Sequence, residues 1–449
     1  MRTATISTDK GALPGTARRE RRMKEMLRNT FRSLGEFNYR LWAIGALVSN
    51  IGTWMQRTAQ DWLVLVDLTH HNATAVGIVM SLQFGPQFVL TPLAGRVADR
   101  FDRRKVLMAT QAAQGLLALG LGLMSVFGLI RLWEVYFFAG LLGCVTSFDG
   151  PARHSFVSEL ASEAYLSNAV ALNSLSFNAA RLVGPAIAGL MIAAVGTGWV
   201  FLINAVSFIA VLVSLCYLRV AELYRRPGGS RPQGGFGDGL RYVARRPDLL
   251  FILAMVFLFS SFGLNFPIYI STMSVMVFHG DARQYGLLTS VMAVGSVIGA
   301  FLAAGRKEPR ITLLVGSGAV FGLALMLASA VPHYLLFAAM LIVAGICAQT
   351  FNTAANSSVQ LATSPDMRGR VMAMYLAILL GGTPLGAPFA GWVADTFGAR
   401  CGLLVGAVAG VLAALVGVRY LRRYRGLELR WQGGRLRVIM QQAAPGTAS

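Results

Sequence analysis

Gly95-Arg96-Val97-Ala98-Asp99-Arg100-Phe101-Asp102-Arg103-Arg104 joins two long apolar segments. The segment before it carries Gln83, Gln87, Thr91 and small residues among its hydrophobics. The one after is mostly Leu, Gly, Ala and Met. Two membrane helices joined so briefly must lie side by side and antiparallel. Six charges of both signs in ten residues are more than interfacial anchoring requires. A basic turn after an apolar run is nevertheless an ordinary cytoplasmic anchor when it stands alone, so the rest of the chain must decide.

The chain is 55% hydrophobic and 13% charged, with a mean hydropathy of +0.58, which excludes an ordinary soluble domain. Segmentation into runs of about 20 apolar residues predicts an all-α membrane protein of twelve transmembrane helices. They fall near 40–66, 74–95, 105–129, 132–152, 167–195, 198–218, 249–278, 284–304, 310–330, 334–356, 369–394 and 400–420. Nothing before residue 40 has the apolar core of a cleavable signal peptide, so the first helix is the expected targeting element. The division follows: a basic tail (1–39), a six-helix half (40–218), a linker (219–248), a second six-helix half (249–420) and a C-terminal tail (421–449).

The net charge of +20 is distributed by topology. With the N-terminus inside, cytoplasmic segments hold 35 of the 40 Lys and Arg; the opposite loops hold Arg131, Arg283 and Arg400, and Arg57 and Arg181 lie within spans. This is the positive-inside pattern with an even number of crossings, and it predicts both termini in the cytoplasm. The basic charge describes orientation and contact with anionic lipid, not a nucleic-acid partner. Cys144, Cys216, Cys347 and Cys401 are scattered singly, without metal-ligand spacing. No His-Glu-x-x-His and no Gly-x-x-x-x-Gly-Lys-Ser/Thr loop occurs. Neither a metal, a nucleotide cofactor nor an enzyme reaction is expected.

The polar stretch 219–248 includes Arg225-Arg226-Pro227-Gly228-Gly229-Ser230-Arg231-Pro232 and a short amphipathic piece from Phe236 to Arg245. Segments on its two sides resemble each other. Residues 147–153 (Ser-Phe-Asp-Gly-Pro-Ala-Arg) align with 350–356 (Thr-Phe-Asn-Thr-Ala-Ala-Asn). Gly184, Ala188, Gly189 and Gly196 align with Gly386, Ala390, Gly391 and Gly398 at a constant offset of 202.

The charged stretch resembles the signature between the second and third helices of the major facilitator superfamily, Gly-x-x-x-Asp-Arg/Lys-x-Gly-Arg-Arg/Lys. Gly95, Asp99, Arg100, Arg103 and Arg104 fall on it. Asp102 replaces the usual Gly, a departure shared with the branch of enterobactin exporters and macrolide-efflux (drug:proton antiporter) proteins. The resemblance covers residues 37–421. It implies two six-helix halves that enclose a cavity opening alternately to each side. It also implies that Asp99 caps the start of helix 11, near Gly369, and bridges to Arg153 of helix 4 when the cytoplasmic side is closed. Asp149, four residues before Arg153, joins that gate. Gly184, Pro185 and Gly189 resemble the family's antiporter motif, common in exporters; small residues there also permit close helix packing, and Pro185 removes a backbone donor.

Charges inside a membrane helix cost about 2.5–3.5 kcal/mol each at the midplane, so they mark function or pairing. Arg57 and Asp61 are four apart on helix 1 and able to pair, with Asn50 on the same face. Asp61 is the candidate proton carrier; an ion pair near the outer interface is the plainer alternative. Arg181, on a face with Ser174 and Asn178, must meet the cavity or a carboxylate. Gln83, Gln87 and Thr91 add a polar stripe on helix 2. The second half offers neutral interior groups: Asn265, Gln349, Asn352, Asn356 and Thr383.

The expected protein is a monomeric inner-membrane secondary transporter, exporting amphiphilic drugs or siderophores in exchange for protons. An importer of a small metabolite and a transport-inactive sensor or scaffold are the rivals. Buried Arg57, Asp61 and Arg181 count against the scaffold, which would tolerate an apolar interior.

Overall fold

The computed structural model describes residues 31–224, 236–304, 311–425, 427–432 and 435–440. The tail before residue 31 and the Arg225–Pro232 part of the linker lie outside the described residues. In chain order the long helices are α1 (Phe37–Trp62), α2 (Ala73–Arg100), α3 (Arg103–Val126), α4 (Leu132–Leu160), α5 (Leu166–Val195) and α6 (Thr197–Cys216). They continue with α7 (Pro247–Val277), α8 (Ala282–Ala304), α9 (Ile311–Ala330), α10 (Tyr334–Ala362), α11 (Pro365–Phe397) and α12 (Ala399–Arg425). Ten of these are long and apolar enough to cross a membrane. The other two, α1 and α4, have the length but carry internal charge: Arg57 and Asp61, and Glu134, Asp149 and Arg153. A short antiparallel hairpin, β1 (Leu427–Gln432) and β2 (Arg435–Met440), follows α12 in what the sequence suggested was a plain tail.

The stretch 95–104 is not a turn. α2 runs through Arg100, leaving Phe101 and Asp102 as the connection, and Asp102 starts α3 by accepting from the Lys105 N–H at 3.2 Å. A hydropathy window ends where charge begins, whereas the helical backbone continues into the interface. α4 and α10 outrun their expected ends at 152 and 356 for the same reason. α1 continues as a π-helical turn, Leu63–Leu68. α7 is interrupted: Phe259–Gly263 is π-helical, and helix resumes at Phe266–Thr272 with Pro267 in its first turn.

Gly196 and Gly398, the last pair of the 202-residue offset, end α5 and α11 with φ of 88° and 94°. Both take a left-handed conformation that glycine alone adopts without cost. This is the structural counterpart of the repeat.

Two seams join the first six long helices to the last six. Along α2 and α11, a β-carbon at Gly77 would stand 2.6 Å from the Ala387 carbonyl oxygen, and one at Gly391 would stand 2.5 Å from that of Ala73. Along α5 and α8, β-carbons at Gly189 and Gly286 would run into the carbonyls of Ala282 and Pro185. At the end of the bundle bearing the α2 N-terminus, Asp395 accepts from the N–H of Ala73 (2.7 Å) and of Thr74 (2.8 Å) and from the Thr74 hydroxyl. Farther in, the Ser81 hydroxyl donates to the Pro384 carbonyl at 2.7 Å.

At the basic end, bonds tie neighbours within each group of six. Arg103 pairs with Glu159, and Arg104 Nε donates to the Leu215 carbonyl at 2.7 Å. Arg246 grips Asp248 through Nε and Nη2 (2.9 and 2.6 Å), which raises its pKa further, and also donates to the Ala362 carbonyl. Beside it, hydrogen bonds from Ser364 hold the Tyr242 phenol below its ordinary pKa. Tyr242 belongs to the linker helix Phe236–Ala244, the amphipathic piece expected there.

Candidate functional site

A cavity of about 190 Å³ lies between α1, α2 and α5 on one side and α7, α8 and α11 on the other. α1 supplies Trp54, Arg57, Thr58 and Asp61, an i, i+3, i+4, i+7 pattern that lies on one face. α2 adds Met80, Gln83 and Phe84, and α5 adds Arg181. Facing them are Phe266 and Ile270 of α7, Tyr285, Thr289 and Met292 of α8, and Thr383 of α11. Arg57, Asp61 and Arg181 are the charged residues of this lining.

Asp61 does not pair with Arg57. Its Oδ2 accepts from the Tyr285 hydroxyl at 3.0 Å, a bond from α8 to α1. Tyr285 is fully buried, with its ring stacked on Trp62 (centroids 6.2 Å apart, planes at 26°). The Arg57 guanidinium lies over the Trp54 ring at 4.9 Å and toward Phe84 at 5.8 Å; that of Arg181 lies over Trp54 at 5.7 Å. Both cations thus use the negative face of one indole. The expected i, i+4 ion pair fails for two reasons. A cation N-terminal to the acid is the less favourable order on a helix, and Asp61 Oδ2 is already taken by a hydroxyl of another helix.

Gln83 also borders a smaller polar pocket of about 20 Å³ beside the cavity, with Gln56, Gln60, Gln87, Gln114 and Asn204. Gln87 is held there, donating to the Thr146 hydroxyl at 3.1 Å. The side-chain nitrogens of Gln60 and Gln114 have no partner among the described residues. A space of this size and polarity suits one water molecule.

Two expected cavity residues are elsewhere. Asn50, about 10 Å before Arg57 along the axis, accepts from Arg153 Nη1 at 3.3 Å and donates to the Ser176 hydroxyl at 3.4 Å. Asn178 donates to the Ser174 carbonyl of its own helix at 2.8 Å. Small polar groups can satisfy themselves locally, so their face alone did not place them.

Asp149 is buried and fully partnered. Its Oδ1 accepts from the Thr110 hydroxyl (2.9 Å) and the Gln111 amide (2.6 Å), and its Oδ2 from Arg153 Nε (3.1 Å). Arg153 is thereby committed to Asp149 and Asn50. Asp99, which the resemblance would join to Arg153 and the start of α11, is exposed instead, as is Arg100. Gly95 meets no close neighbour. Gly184 lets α5 approach α1, where a β-carbon would come 2.7 Å from that of Trp54, while Pro185 and Gly189 face α8. The antiporter-type motif is thus where α5 packs closely on two neighbours. Of the neutral candidates in the second half, Thr383 reaches the cavity. Trp54, Phe84 and Tyr285 were not foreseen, since an aromatic residue in an apolar helix is indistinguishable from core.

Long apolar helices around an internal cavity that holds buried charges define a polytopic membrane transporter. The chain belongs to the transmembrane secretion effector family of the major facilitator superfamily, whose family model matches residues 29–428. It is an integral membrane transporter and not an enzyme. Similar proteins include the staphyloferrin A transporter of Staphylococcus aureus, 25% identical over 359 residues that cover 78% of this chain and 87% of the relative. The multidrug efflux pump Tap of Mycobacterium tuberculosis is 27% identical over 406 residues (85% and 93%). The enterobactin exporter EntS of Shigella flexneri is 26% identical over 373 (81% and 87%). Among solved structures, a bacterial homolog of the human lysosomal transporter Spinster superposes with a TM-score of 0.69 at 16% identity, covering 89% of this chain and 99% of the other. The nucleoside transporter NupG gives 0.70 at 12% (85% and 99%). These two likenesses concern the fold alone.

Proposed function

We propose that this protein exports amphiphilic small molecules, of the drug or siderophore kind, in exchange for protons. All twelve long helices cross the inner membrane as two six-helix halves, α1–α6 and α7–α12, with both termini in the cytoplasm. The halves rock about the two glycine seams as a monomer. The observation that carries the reading is Asp61, a carboxylate inside a membrane cavity, bound across the two groups of helices by Tyr285. A carboxylate with one neutral partner from the opposite half exchanges that bond for a proton when the halves separate. The efflux proteins among the relatives favour export over import.

The arrangement of contacts supports one stage of such a cycle. Asp395 ties α11 to the start of α2 at one end, whereas at the basic end Asp99 is exposed and Arg153 is engaged within its own half. With the basic end cytoplasmic, this is the conformation closed outward and open inward.

The test is Asp61→Asn in everted vesicles, scored for substrate accumulation driven by an imposed pH gradient. Loss of uphill accumulation, with substrate binding intact, is expected. Undiminished accumulation would remove Asp61 from the coupling step.

A further inference from the structure

We infer that the cavity is a site for organic anions: molecules with a carboxylate or comparable oxyanion attached to an aromatic or aliphatic body. The inference rests on the transport reading only for the statement that what binds here is what is carried.

The charge of the lining decides the class. Arg57 and Arg181 are two fixed cations, since guanidinium does not lose its proton in proteins, and Asp61 is the single acid among the lining residues. That acid accepts from Tyr285 and is in ion-pair contact with neither arginine. Neither guanidinium has an ion pair or hydrogen bond to another described residue; both lie against Trp54, Arg57 also approaches Phe84, and Arg57 borders the small polar pocket as well. A ring attracts the charge of a guanidinium but supplies no lone pair to its N–H edge. An arginine removed from bulk water with that edge unsatisfied is costly unless something accepts from it. The planar fork of donors matches a carboxylate or similar planar oxyanion in two parallel hydrogen bonds.

Trp54 carries both cations, so one indole holds two donor edges beside the same space. Phe84, Phe266 and Ile270 supply the apolar surface for the rest of the ligand. A lipophilic cation is disfavoured in the same place. It would enter a cavity with a formal excess of one positive charge, and the one carboxylate is already bound to a hydroxyl.

The experiment uses full-length protein in lipid nanodiscs and isothermal calorimetry with three probes: 2-naphthoate, citrate and tetraphenylphosphonium. At least one of the two anions should bind while tetraphenylphosphonium does not. Arg57→Gln and Arg181→Gln should each weaken the anion about tenfold or more, the loss of a charge-assisted hydrogen bond, whereas Arg181→Lys should retain part of the affinity. Melting temperature and elution profile establish that each variant is folded. If only the cation binds, if neither anion binds, or if the folded double variant Arg57→Gln/Arg181→Gln binds the anion as tightly as the parent, the assignment is overturned.

Uptake of ethidium and of the bound anion into everted vesicles separates this result from the transport reading. Proton-driven ethidium uptake without anion binding leaves an exporter with a different substrate class. Anion binding without uptake of either compound leaves the anion site and removes the exporter.

Discussion

Asp149 and Asp61 are both carboxylates within long helices, and their surroundings differ. Asp149 accepts from Thr110, Gln111 and Arg153, so its charge is neutralised and its lone pairs are occupied. A carboxylate so bound has nothing to exchange. Replacing it by Asn sets an amide nitrogen against the Arg153 guanidinium and leaves that cation with Asn50 alone. Breaking a buried pair on one side costs about 3–5 kcal/mol, less here because the Arg153 side chain keeps 19% of its exposure. Asp149→Asn should therefore lower the melting temperature of the purified protein by several degrees. Asp61→Asn, which keeps the bond to Tyr285, should melt close to the parent while losing uphill transport. Equal melting of the two variants would contradict this division. Charges among apolar residues are conspicuous, which is why Arg57, Asp61 and Arg181 were legible from the sequence. Their partners were not. Spacing reveals which side chains share a helix face, whereas the bond from Tyr285 to Asp61 spans 224 residues of chain.

At the scale of single helices, the start of α2 is capped twice. Asn72 accepts from the Ala75 N–H at 2.9 Å, and Asp395 of α11 takes the N–H groups of Ala73 and Thr74. These amides carry the positive end of the helix dipole, where an anion is worth about 0.3–1 kcal/mol, and up to about 2 when partly buried. The cap comes from the other group of six helices, so it exists only while this end is shut. Asp395→Ala should favour opening here. A cysteine in place of Met292 in the cavity should then be labelled several-fold faster by an impermeant maleimide applied to intact cells. Unchanged labelling would mean that the glycine seams alone hold this end. The sequence placed the helices well because length and hydropathy are local properties. It misjudged the stretch 95–104 because a charged interface and a turn have the same composition. It missed the interruption of α7 at Leu264–Asn265, which hydropathy cannot register. The antiporter-type motif was visible as small residues, and its packing partners, Trp54 on α1 and Ala282 on α8, required the assembled bundle.

Across the whole molecule, the repeat at an offset of 202 residues recurs in the paired left-handed glycines 196 and 398 and in the two seams. At its glycines each seam brings backbone against backbone, and side-chain bonds from Ser81 and Asp395 cross the one between α2 and α11. Where the backbones meet directly, a β-carbon would wedge the helices apart. The cavity breaks the resemblance between the two groups of helices: its charges come from α1 and α5, and α7, α8 and α11 contribute hydroxyls and apolar walls. On the function proposed above, recognition by charge belongs to α1 and α5, and the sensing of whether the two groups of helices touch belongs to the bond between Asp61 and Tyr285.

The excess of arginine over aspartate in the cavity has an electrical consequence. If a monoanion leaves the cell as a proton enters, both movements carry current in the same direction, and two charges cross per cycle. Each is worth about 2.3 kcal/mol per 100 mV of membrane potential. Two amount to about a thousandfold concentration ratio at about 1.4 kcal/mol per decade, before any pH difference is added. Voltage is thus the main source of work for an anionic cargo. In energised everted vesicles, collapsing the potential with valinomycin and potassium should depress 2-naphthoate accumulation far more than collapsing the pH difference with nigericin. The reverse ranking would mark an electroneutral exchange and a cargo without net negative charge.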